Sequence, residues 1–393
     1  MAMKIRGTTR GAARRNFACE AQYFTEEQAE QKLAEFRWQS PDQQVCPQCG
    51  VLDRHHRIKG RRQWRCRHKG CGHTFSVTSG TSLDRCRLSC RQIVRLLIHF
   101  EASPKGTTLV STSNAVCITE KSAQQNLMKL REAIKENLAG GNGSKLSGTI
   151  HMDGMYVCGK FRKSNRRIKA TVDSVLARHG TAAVKRRLPA INPQSKWNQR
   201  RAKNKRVVIA MVEVDDESGG ARRVVTAMCR SENAADVLLL AQQHITVGAR
   251  VFTDESPAYN GLGAFFEHHS VNHSEEYSTP EGVNENLAES FFSRVRRSEY
   301  GVHHGFRPMY MAFHVHELAW REMQRRGTQH EKVQQLASWL LTPGHSRYWR
   351  GYHGGNRRRL LRRPRPEIVM GNVDAPWQDT RSMARKGRGP ETV

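Results

Sequence analysis

Two kinds of hydrophobic patterning divide this chain of 393 residues. Between positions 88 and 138 apolar residues recur with helical spacing, and Ile93, Val94, Leu96, Leu97 and Phe100 fall on one stripe. The stretch 106–138 predicts two helices, broken near Cys117, Ile118 and Thr119, with Thr119 or Ser122 as caps. Upstream, Thr25 stands where its side chain would cap a helix running to about Trp38. From Ser147 the period shortens. Apolar runs predict strands over 148–157, 206–214 and 221–229, a helix over 233–245 and a fourth strand over 250–253. The turn-rich 215–220 connection predicts that the second and third strands pair as a hairpin. Leu287, Phe291 and Val295 then share one face of a further helix with a basic C-terminal turn, and another helix is expected over 309–325.

Ten cysteines are too few for a disulfide scaffold in a chain of this length. Four of them, Cys46, Cys49, Cys66 and Cys71, have the spacing of two metal-binding knuckles joined by hairpin strands. Thiolates on one tetrahedral Zn²⁺ would replace the core that so short a segment cannot build. The second knuckle is wider than the usual C-x-x-C, so a set in which His68 or His73 replaces Cys66 or Cys71 is the alternative. Cys86 and Cys90 read as packing residues at i, i+4 of one helix. Thiols used in this way point to a reducing compartment, the cytoplasm.

Charge narrows the partner. The chain carries 65 Lys+Arg against 36 Asp+Glu, a net charge of +29 with a pI near 10.3, which favours polyanions and above all nucleic acid. No apolar run is long enough to span a bilayer, and neither a lipidation signal nor the apolar core of a secretory leader is present. The helix pair over 106–138 has the form of a helix-turn-helix that would set its second helix in a major groove, or of a plain connector. Between the first two strands lies an insertion, 160–206, with 16 Lys/Arg and a single acidic residue, Asp173. It reads as a phosphate-tracking arm holding Lys160, Arg166 and Arg167, or as a solvated surface. The segment from Asn356 to the end is basic and rich in chain breakers, which reads as disorder without nucleic acid.

Three carboxylates stand out against this basic background. Asp153 lies in the first strand, Asp254 ends the fourth, and Glu289 belongs to the helix that follows. Two strand aspartates and one helix glutamate can converge on hard divalent cations, which prefer oxygen ligands. Two Mg²⁺ ions about 3.5–4 Å apart can activate an oxygen nucleophile and neutralise the charge of a phosphodiester in transfer. In this scheme Asp153 bridges the two ions, and Asp254 and Glu289 each hold one. Three strands, a helix and a returning strand is the order of an RNase H-like α/β core.

The cysteine ribbon, His-Met-Asp153-Gly-Met-Tyr-Val-Cys-Gly-Lys160, Phe-Thr-Asp254-Glu-Ser-Pro-Ala-Tyr259, Val-Asn-His273-Ser, Asn286-Leu-Ala-Glu289-Ser-Phe-Phe and Tyr-Gly301-Val-His-His304 together resemble the zinc-ribbon DDE transposases of the ISXO2-like kind. The resemblance covers roughly residues 25–330. It implies Mg²⁺- or Mn²⁺-dependent cutting at inverted-repeat ends, joining of the freed 3′-hydroxyl to target DNA, a homo-oligomer in the synaptic complex, and work at the nucleoid of a prokaryotic host. Asp153, Asp254 and Glu289 would be the catalytic triad. Arg296, with Arg297 beside it, stands where many relatives carry a Lys and would clamp a phosphate. His273, His303, His304 and His316 are candidates to orient water or phosphate, His304 foremost. Gly154 departs from the acidic residue that often follows the first Asp in relatives.

The implied organisation is an arm and helix over 1–40, a zinc ribbon over 41–85, a helix-turn-helix-like module over 86–140, a catalytic domain over 147–330 and a basic tail over 331–393. Two rival functions remain: an RNase H-like nuclease that never joins ends, and a DNA-binding regulator that has lost catalysis. Intact acidic residues weigh against the regulator.

Overall fold

The computed structural model of the protein describes residues 17–40, 42–139, 144–158, 205–271 and 286–354. Lys160, Arg166 and Arg167, with most of the basic insertion, lie outside the described residues, as do His273 and the segment beyond 354.

Local signals decide the N-terminal third. Helix α1 (Glu26–Trp38) starts at Thr25, whose side chain accepts from the Gln28 N–H while the Gln28 side chain accepts from the Thr25 N–H. The ribbon follows as a two-stranded antiparallel pair, β1 (Gln44–Val45) and β2 (Leu52–Asp53), and a three-stranded one, β3 (His56–Arg57), β4 (Trp64–Arg65) and β5 (Thr74–Phe75). Helices α2 (Cys90–Glu101), α3 (Leu109–Val116) and α4 (Glu120–Ala139) come next. Left-handed backbone at Cys117, φ 57°, stops α3. Thr119 caps the next helix by accepting from the Ser122 N–H. Cys86 and Cys90 do not share a helix as the spacing suggested. Ser89 caps α2 through a second capping box, so Cys90 is its first residue, and Cys86 sits in the preceding turn with its Sγ on Asn126.

The remainder is built on a five-stranded sheet of order β10–β9–β6–β7–β8. Its strands are β6 (Thr149–Cys158), β7 (Lys205–Asp215), β8 (Gly220–Cys229), β9 (Arg250–Asp254) and β10 (Glu267–Val271). β7 pairs antiparallel with both β6 and β8, whereas β9 is parallel to both β6 and β10. β10 was not expected. Glu267-His-His-Ser-Val has one apolar residue in five, too few to mark an edge strand whose hydrogen bonds come from β9.

Both faces of β6 and β7 are covered, which explains the unbroken apolar run from Val207 to Val212 in β7. Ile150 and Met152 pack with Val207, Ile209 and Met211 under helix α5 (Ala234–His244), whose Val237, Leu240 and Ala241 join the same core. Met155 and Val157 point the other way, into the core formed with α6 (Asn286–Gly301) and α7 (Pro308–Met323). α6 continues past Arg296 and Arg297, so its last turn carries no basic residue, contrary to expectation.

The chain then returns to its beginning. In α8 (Gln329–Leu340), Val333, Leu336 and Leu340 share one core with Leu33 of α1, Trp64 and Phe75 of the ribbon, and Leu97 and Phe100 of α2. Trp349 is fully buried against Tyr310, Phe313 and Tyr352. The expected tail boundary at 331 is therefore too early, because hydrophobic burial keeps residues 329–352 in the folded body. The middle of α4, 126–135, is buried on all sides, confining any groove-reading role of the helix pair to α3 and the first turn of α4.

Candidate active site and cysteine cluster

Register brings the two aspartates side by side. β6 and β9 pair in parallel as Thr149 with Arg250, Ile150 with Val251 and His151 with Phe252. Asp153 and Asp254 each lie two residues beyond that last pair, so their carboxylates leave neighbouring strands at the same level and toward the same face. Asp153 shares the β6 face of Met155 and Val157, the face on which α6 packs. Buried Phe291, Phe292 and Val295 anchor α6 there and leave Glu289 exposed in its first turn. A carboxylate at that end also suits the helix dipole.

Mutual electrostatics record the convergence. The Gly154 N–H donates to Asp153 Oδ1 at 2.6 Å. Burial, followed by the charges of Asp254, Glu232 and Glu289, nevertheless pushes the Asp153 carboxyl up to about 7. Asp254 Oδ1 accepts from the Ser256 N–H at 3.1 Å, a turn that ends β9 and sets the side chain's direction. The carboxylates are spread more widely than a cage for one ion. Among the described residues, only the four ribbon cysteines bring three or more ligand atoms within 4.8 Å of one another.

Glu232 escaped the sequence reading. It stands between β8 and Asn233, the residue that caps α5, where no periodicity marks it. Buried Tyr259 donates its hydroxyl to Glu232 Oε1 at 2.6 Å. A Cβ on Gly154 would lie 2.3 Å from the same oxygen. The glycine after Asp153 was the available signal, since it opens the space that this carboxylate fills.

The cysteines form a compact group, with Cys46 Sγ 3.8 Å from Cys71 Sγ and Cys49 Sγ 3.5 Å from Cys66 Sγ. Backbone hydrogen bonds from Val51, His68 and His73 reach Cys49, Cys66 and Cys71 respectively, the support that thiolates on a metal require. His73 instead stacks on Phe75, ring planes 6° apart, so the histidine-swapped ligand set is not formed. Four soft donors at these distances fit one structural Zn²⁺. The family model of the transposase zinc-ribbon domain matches residues 24–74, and that of the ISXO2-like transposase domain matches residues 145–323. The chain belongs to the ISXO2-like transposases. No curated protein and no solved structure matches it.

In this ISXO2-like transposase the matched domain contains Asp153, Asp254, Glu289 and Glu232. Arg296 and Arg297 are exposed on α6, while Arg294 turns aside to bond Glu322 and the Ser290 hydroxyl. His304 is exposed in left-handed backbone, φ 50°, just after α6. His303 faces inward, its ring 4.2 Å from that of His314. His316 donates from Nδ1 to the Ala312 carbonyl at 2.7 Å within α7. His304 is thus the exposed histidine of the three.

Proposed function

We propose that this ISXO2-like transposase binds the terminal inverted repeats of its element and carries out Mg²⁺-dependent DNA cleavage and strand transfer at Asp153, Asp254 and Glu289. The observation that carries this reading is the in-register pairing that sets Asp153 beside Asp254 under the helix of Glu289. The sheet order, with the first strand central and the fourth and fifth parallel to it, supports an RNase H-like core.

The donor set suits the cofactor. It offers only oxygen, and its carboxylates raise one another's affinity for positive charge. Bound there, two divalent ions supply nucleophile activation and neutralisation of the leaving oxygen. Asp153 would be shared between the two ions, with Asp254 and Glu289 each holding one, and ligands spread over two centres need not meet within one ion's reach. Arg296 and Arg297, exposed further along α6, would hold a phosphate of the bound end, with His304 beyond them. Lys160, Arg166 and Arg167 belong to the same proposal as contacts of the insertion with the DNA backbone. Ends and target come together in a homo-oligomeric synapse, at the nucleoid of a prokaryotic host.

The test is a strand-transfer assay with purified protein, an oligonucleotide carrying the element's end, target DNA and Mg²⁺. Joined product is expected, and Asp153→Ala and Glu289→Ala should abolish it while leaving DNA binding in place. Joining by either variant at the wild-type rate overturns the assignment. Cleavage without joining would identify a nuclease.

A further inference from the structure

We infer that Glu232 is a positioning residue of the catalytic centre, locking the turn after Asp254 against the strand of Asp153 and adding a fourth negative charge that strengthens divalent-cation binding. The inference rests on the proposal that Asp153 and Asp254 hold such cations.

Three attachments place this side chain. Its backbone lies where the chain leaves β8 and enters α5, next to the Asn233 cap. Its carboxylate receives the Tyr259 hydroxyl at 2.6 Å, and Tyr259 belongs to the 3₁₀ stretch Pro257–Ala264 that follows Asp254. Its Oε1 and Oε2 occupy the volume over Gly154, 2.3 and 3.0 Å from where a Cβ would stand, so any side chain at 154 would displace it. One carboxylate therefore joins the segment after β8, the segment after β9, and β6 at the residue next to Asp153. It also lies close enough for its charge to act on Asp153, and for that of Asp254 to act on it.

Asp153 and Met155 share one face of β6, and Gly154 the other. Glu232 therefore approaches from the α5 side, behind Asp153. From there it acts through its field and through the Tyr259 tether. Outer partners of this kind set the orientation and basicity of the residues that touch a metal.

The test uses the full, zinc-loaded chain without DNA, titrated with Mn²⁺ and read by the electron paramagnetic resonance of the free ion, with thermal unfolding recorded in parallel. Glu232→Gln keeps the size and can still accept from Tyr259, but removes the charge. It should bind Mn²⁺ on the order of tenfold more weakly, unfold at the wild-type temperature, and recover strand transfer as Mg²⁺ is raised. Gly154→Ala, which pushes the carboxylate away without touching Glu232, should weaken Mn²⁺ in the same direction. Wild-type Mn²⁺ affinity in both variants, alongside loss of binding in Asp153→Ala, overturns the role of Glu232 alone. Undiminished Mn²⁺ binding by Asp153→Ala overturns the metal-site proposal beneath it.

Discussion

Asp153 and Asp254 stand out in the chain because each is an acidic residue in or at the end of an apolar run, and Glu289 because it falls in the helical pattern of Leu287, Phe291 and Val295. Glu232 interrupts nothing. It sits in a polar turn, and only the approach of Tyr259 and Gly154 gives it a place. The cysteines were equally readable, since their spacing is itself the signal, although only the structure showed that the cage is all cysteine and that His73 stacks on Phe75 instead. Each of the four cysteines lies within 4.8 Å of the others, so removal of one leaves an incomplete cage. Cys49→Ser is expected to lower bound zinc from one per chain to well under one, as measured by elemental analysis. Because apparent zinc binding in such small domains is worth about 10–16 kcal/mol at neutral pH, the same variant should lose the protease resistance of the ribbon.

At the scale of elements, caps and periods served well. The start of α1 follows from Thr25, whereas the Ser89 cap, which starts α2 after Cys86, was not expected. β10 escaped because an edge strand with polar residues takes its identity from its partner. The joint between α6 and α7 holds a pair of histidines that only packing could reveal. Burial keeps His303 down at about 4 and His314 well below its usual value. His303 also faces Arg131, Arg321 and His304, which oppose its protonation, and Glu317, which favours it, while His314 faces Arg131 and His303. Both rings are neutral in the folded state, whereas in the unfolded chain they take up protons near pH 6.5. The unfolded state thus binds more protons at acid pH, so stability present above about 6.5 is lost as the pH falls toward 4. Calorimetry from pH 7.5 to 4.5 should show the unfolding temperature dropping across this window. His314→Phe, beside Phe306 with which the ring already stacks, should flatten the slope, and an unchanged slope would count against this account.

At the scale of the molecule, early and late helices of the described residues hold each other. α1, the ribbon, α2 and α8 share one apolar core. A buried ionic cluster ties α4 to α7: Arg131 Nε donates to Glu317 at 2.6 Å and Arg321 Nη2 at 2.8 Å. Burial alone would raise the Glu317 carboxyl, yet Arg131 and Arg321 hold it down at about 2. Glu317→Gln leaves two buried guanidinium groups without their counter-charge and should cost about 3–5 kcal/mol. Urea unfolding is the measurement, and a loss under about 1 kcal/mol, the level of an exposed pair, would show that the cluster is solvated.

What the amino-acid order determined by itself is local: the helices and strands with strong apolar periods, the Thr25 and Thr119 caps, which cysteines cluster, and the aspartates that break an apolar run. Those features depend on neighbours a few positions apart. The tertiary structure alone decided the register that aligns Asp153 with Asp254, the arrival of Glu232 behind them, the seating of α8 on the first helices, and the enclosure of α4. Each of these rests on contacts between residues far apart in the chain, whose free energy appears only when the cores close.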